Sequence, residues 1–82
     1  MNNLNTGDEV YHIHFYDIID SPRIEKNSFV NYDVGYYVLE DEVGIYYAEQ
    51  DSVFRTEEEA KKALKEKLEQ MKKRIDTIIQ EL

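Results

Sequence analysis

From Thr56 to Leu82 the chain contains neither glycine nor proline and is dominated by strong helix formers. No other segment restricts the fold as much, because it commits the whole C-terminal part to one helix. Leu64, Leu68, Met71, Ile75, Ile78 and Leu82 recur at alternating steps of four and three, a heptad seam that Ala60 and Ile79 widen in two places. At about 1.5 Å per residue this helix is about 39 Å long, whereas four strands side by side span about 19 Å or less. The helix is therefore expected to outrun any sheet the rest of the chain can build.

Its start is written in "VFRTEEEAKKAL", residues 53 to 64. Thr56 is placed to cap the helix, its hydroxyl accepting from a first-turn N–H, and Glu59 completes a capping box. Glu57, Glu58 and Glu59 fall at the positive end of the helix dipole, and Lys61, Lys62 and Lys65 follow one turn later at pairing distance. The block of acids followed by bases is thus helix-start chemistry.

Upstream, the pattern is that of short strands. In "EVYHIHFYDI" Tyr11, Ile13 and Phe15 alternate with Val10, His12, His14 and Tyr16, and the first set reads as the apolar face. Asp20, Ser21 and Pro22 break this strand. A second strand is expected from Arg23 to about Val30, a bend from Asn31 to Gly35, and then a hairpin of "YYVLE" and "IYYAE" around Asp41 to Gly44. Glu49 to Ser52 reads as a turn, and Val53 and Phe54 as a last short strand. One tyrosine of each Tyr-Tyr pair should face the core and the other face outward. The expectation is a single α+β domain over residues 1–82: an antiparallel β-meander of four to five strands within 9–54, then one long C-terminal helix over 56–82.

Eighty-two residues lie near the lower limit for a self-sufficient core, and without cysteine no disulfide or thiolate metal site adds stability. The polar start "MNNLNTGDEV" reads as no signal peptide, and no apolar run approaches the roughly 18 residues of a membrane span, so a cytoplasmic protein is expected. The formal charge of -8 is uneven. Residues 1–53 carry eleven acids against Arg23 and Lys26, while residues 54–82 carry seven acids against eight bases. A chain of this sign repels phosphates, so direct nucleic-acid binding is not expected.

Of the candidate chemistries, His12 and His14 share a strand face at the spacing some zinc and iron sites use, with Asp17 or a cross-strand carboxylate as a third ligand. The plainer alternative is a pair of exposed strand residues, and no metal or cofactor is assigned. Glu40 and Glu49 are conceivable paired carboxylates across the hairpin, but a thin sheet with one helix rarely encloses the pocket that acid–base catalysis needs. With no phosphate loop, nucleophile elbow or cysteine, no catalytic residue is assigned and no enzyme is expected. The seven tyrosines lie in the acidic half, and tyrosine suits contact surfaces because it buries much area with few rotatable bonds. Tyr36, Tyr37, Glu40, Asp41, Glu42, Tyr46, Tyr47 and Glu49 are the expected partner-binding residues.

Along the helix Leu68, Met71, Ile75, Ile78, Ile79 and Leu82 are the expected oligomerisation residues. With Leu68 at heptad position a, Lys65 and Lys72 fall at e, and Lys67 and Arg74 at g. A parallel pair would set Lys67 against Lys72, so an antiparallel homodimer, or a helix on the other protomer's sheet, is expected instead. The same cations could alternatively straddle the sheet edge and neutralise its acids.

"GDEVY", the strand-turn-strand middle and above all "VFRTEEEAKKAL" resemble a loose class of small, mostly uncharacterised phage and prophage proteins of Gram-positive bacteria. In that class a short β-meander ends in a strand with Phe, followed by Thr-x-x-Glu-Ala and a helix. The resemblance spans most of the chain and carries no catalytic residues. It implies a non-enzymatic protein that binds a host protein in the host cytoplasm, such as an anti-CRISPR-like inhibitor of a nuclease or defence complex that presents an acidic mimic of nucleic acid. The alternative is a homo-oligomeric structural or small-ligand-binding protein. "GDEVY" is also similar to the opening strand of SH3-like barrels, over those few residues only.

Overall fold

In a computed structural model, residues 4–14 and 22–82 are described. Five strands, β1 (Glu9–His14), β2 (Arg23–Asp33), β3 (Tyr36–Glu40), β4 (Ile45–Glu49) and β5 (Val53–Phe54), precede one helix, α1 (Glu57–Glu81). A single 3-10 turn at Gln50–Ser52 joins β4 to β5. The fold is the expected α+β arrangement, with an antiparallel sheet in the order β4-β3-β2-β1-β5.

Register decides which side chains meet. Across β1, β2 and β3, Val10 lies opposite Asn27, His12 opposite Glu25 and Phe29 opposite Leu39, and Tyr37 pairs with Ala48 of β4. These residues share one face with Val53, which pairs with His12. Val10, Phe29, Tyr37, Leu39, Ala48 and Val53 form the core cluster, with Leu4 and Tyr46 packed against it. The inner set of β1 is thus Val10 and His12, where the alternation pointed to Tyr11 and Ile13. Ile13 is buried as well, so β1 has cover on both faces. Phe15, Tyr16, Asp17 and the Asp20–Ser21 break lie outside the described residues.

Two details differ from the pattern read in the sequence. The strand after Arg23 continues through Asn31 to Asp33, which pairs with Tyr36, and the turn is only Val34 and Gly35. Both have positive φ, 49° and 86°, as the favoured two-residue hairpin turn requires. A valine there hides the usual Asn-Gly signal and sits in a conformation a β-branched residue adopts only under strain. The register also shifts between Phe29 and Asn31. There the N-terminal segment attaches: Gly7 and Phe29 N–H groups donate to Phe29 and Asp8 carbonyls, and the Thr6 hydroxyl donates to Val30 O at 2.7 Å.

Helix α1 begins at the expected Thr56 cap, with Glu59 N–H donating to the Thr56 hydroxyl at 3.2 Å and Lys61 pairing with Glu57 at 3.2 Å; the return bond from the Glu59 carboxylate that would complete the capping box is not formed. It packs against β1, β5 and β2, and Ala60 is fully buried. Ala63, Leu64, Lys67 and Met71 are half-buried; from Lys72 onward every residue is exposed. Twenty-five residues make about 37 Å of helix, which is why the molecule measures 49 Å in one direction and 22 Å in the other two. The helix outruns its sheet, and most of the seam beyond Met71 lies in water.

Candidate protein-binding face

The β3–β4 hairpin sorts its side chains by strand alternation. Tyr36 lies opposite Glu49, Val38 opposite Tyr47 and Glu40 opposite Ile45, all on the outer face, and Asp33 of β2 joins them opposite Tyr36. Tyr37 and Tyr46 face inward, so each Tyr-Tyr pair divides as its spacing predicts. Tyr36 and Tyr47 are 43% and 58% exposed, with ring centroids 6.1 Å apart. The Tyr47 hydroxyl donates to Asp33 Oδ2 at 2.6 Å, and this hydrogen bond to a carboxylate raises the phenol's pKa above its ordinary value. At one end of the face the Gln50 amide donates to Tyr32 Oη at 3.1 Å and to the Gly35 carbonyl at 2.9 Å, fixing the hairpin turn to the start of the 3-10 segment.

Not all eight expected partner-binding residues belong to this surface. Tyr37 is buried, edge-on to Phe29 at 5.9 Å, and serves the core. Tyr46 is engaged beneath the sheet. Asp41 is half-buried, and its Oδ1 accepts from Val43 N–H at 2.8 Å and Gly44 N–H at 3.0 Å, so it shapes the loop. Tyr36, Glu40, Glu42, Tyr47 and Glu49 remain exposed. Glu40 and Glu49 occupy opposite ends of the hairpin, about 13 Å apart along the strand, so they form no carboxylate pair.

No helix cation offsets these acids. Residues 27–54 hold Asp33, Glu40, Asp41, Glu42, Glu49 and Asp51 with no Lys or Arg. The ion pairs Glu9–Lys26, Arg23–Glu25 and Glu57–Lys61 and the contact of His14 with Glu25 all lie away from β3 and β4. The geometric reason is that α1 lies over the β1–β5 side of the sheet, away from the hairpin. Next to the face, β3 ends at Glu40 opposite Ser28 while β2 extends back to Arg23, which leaves an open groove of about 560 Å³. Its walls carry Glu9, Glu25, Glu40, Asp41 and Glu42 with Lys26.

The histidines, in contrast, are inside. His12 is 4% exposed, and the two imidazole centroids lie 4.2 Å apart. The Tyr46 hydroxyl donates to Asn27 Oδ1 at 2.7 Å, so the 2.9 Å contact with His12 runs from Nδ1–H to the phenol oxygen. Burial pushes His12 down to about 4, with the neighbouring His14 acting in the same direction. His14 Nε2 lies 3.0 Å from Glu25 Oε2, whose other oxygen accepts from Arg23 at 2.7 Å. Among the described residues no group of three or more His, Cys, Asp or Glu is arranged to hold a metal, and Asp17 lies outside them. The sequence carried one cue to this network: His12 and His14 alternate in step with Val10, the most buried member of β1.

No protein-family model, no curated protein and no solved structure matches the chain. Among the described residues, no helix is long and apolar enough to cross a membrane.

Proposed function

We propose that this is a non-enzymatic binding protein whose outer β3–β4 face docks on a basic surface of another protein, of the kind that ordinarily holds nucleic acid. The observation that carries this reading is the bare acidic hairpin: Glu40, Glu42 and Glu49 are exposed and unpaired by any cation among the described residues, beside Tyr36 and Tyr47. Unneutralised acid attracts a basic partner over a distance set by salt, and the two phenols supply contact area at small entropic cost. The sequence likeness to phage and prophage proteins directs the reading to a host nuclease or defence complex, met in the host cytoplasm. A second reading, a homo-oligomeric structural protein without mimicry, draws on the uncovered helix seam.

The test is capture from host lysate over a salt series, with the wild type and Glu40→Lys/Glu42→Lys/Glu49→Lys as paired baits. Asp41 is left intact because it holds the loop. The expected result is a basic protein retained by the wild type at low salt, released as salt rises, and absent from the variant. Equal retention by both baits would remove the hairpin from the binding surface.

A further inference from the structure

The outer half of α1 presents a continuous apolar seam with nothing over it: Ile75 is 38% exposed, Ile78 58%, Ile79 61% and Leu82 99%. We infer that this segment pairs antiparallel with the same segment of a second copy, setting Ile75 against the partner's Ile78 and Met71 against the partner's Leu82. The register follows from where the sheet stops. α1 packs on the sheet through its first half, where Ala60 is buried and Leu64 and Lys67 are half-buried, and from Lys72 onward every residue is exposed, so the helix is free to pair from about Met71 onward. Pairing over 71–82 places the two sheets at opposite ends of the helix pair, where they do not collide.

Charge selects the same register. In an antiparallel pair, g positions face g and e positions face e. Here Arg74 meets the partner's Glu81, twice by symmetry, and Lys72 lies beside the partner's Ile79. The register one heptad longer would set Arg74 against Arg74 and Lys72 against Lys72, and it would need Leu64, which the sheet already covers. A parallel pair sets Lys67 against Lys72. The last turn of α1 also contains no basic residue to complement its partial negative charge, and the partner's Arg74 supplies one there.

The contact is short, so it belongs with the small, concentration-dependent interfaces that bury less than about 1,200 Å². Its consequence is a rod carrying one acidic hairpin on each body, able to engage two sites at once and gain avidity. The inference is independent of what those hairpins bind.

Sedimentation equilibrium on the whole chain tests it. The apparent mass should rise from 9.8 kDa toward twice that value between low and high micromolar concentration. Ile75→Asp with Ile78→Asp should remain monomeric while keeping the strand signal in circular dichroism. Arg74→Glu and Glu81→Arg should each weaken the pair roughly five- to tenfold, and the double exchange should restore it. A wild type that stays monomeric at high micromolar concentration, or forms a species larger than a dimer, overturns the pairing. A double exchange no tighter than either single one overturns the register.

Discussion

Acid should weaken this fold through one side chain, His12. Its pKa falls from 6.5 to about 4 because the ring is buried, with His14 and Lys67 opposing its charge and Glu25 partly favouring it. The folded state therefore holds His12 neutral while the unfolded chain protonates it near 6.5. The stabilisation is complete above about pH 6.5, decreases as pH falls towards 4, and changes no further below that. At about 1.4 kcal/mol per pH unit the upper bound is about 3 kcal/mol, and relaxation around the buried ring when it is protonated reduces it to about 2 kcal/mol. The wild type alone would report the histidine's protonation together with every other change that acid brings. His12→Asn separates them, because its amide can still donate to Tyr46 but takes up no proton. Urea unfolding of both proteins at about pH 7, 6, 5 and 4 should show the wild-type advantage shrinking by about 2 kcal/mol toward acid. A difference that stays constant across the series would refute the buried, neutral histidine.

Two further substitutions test the local structure. Thr56→Ala removes the acceptor of Glu59 N–H and should cost about 1 kcal/mol in chemical unfolding, whereas an unchanged midpoint would place the helix start elsewhere. Val34→Asn should raise stability by about 1 kcal/mol, because the strained valine is 83% exposed and gains nothing from burial, while asparagine tolerates its positive φ; a loss of stability would contradict the turn geometry.

The parts of the fold legible in the sequence were those governed by neighbours along the chain. The Thr56 cap, the four-residue Asp41–Gly44 loop, the division of each Tyr-Tyr pair and the length of α1 all follow from spacing. What the sequence hid depends on cross-strand register. The burial of His12 is set by its position between Glu25 and Val53, and Tyr46 reaches it only because Leu39 lies opposite Tyr46. Asp41 looked like surface charge because a loop acid and a turn-capping acid have the same composition. Whether the helix cations neutralise the hairpin was open in the sequence; it is answered by strand order, which puts β4 at the edge far from α1.

The most direct measurement of the central claim compares three baits in one salt-graded capture from cell lysate, quantified by mass spectrometry: the wild type, Glu40→Lys/Glu42→Lys/Glu49→Lys, and Ile75→Asp/Ile78→Asp. If the bare acidic hairpin is the binding surface, a basic protein retained by the wild type at low salt is lost from the hairpin variant and still held, with reduced avidity, by the seam variant. Retention by the hairpin variant together with loss from the seam variant would contradict the account and assign partner binding to the helix.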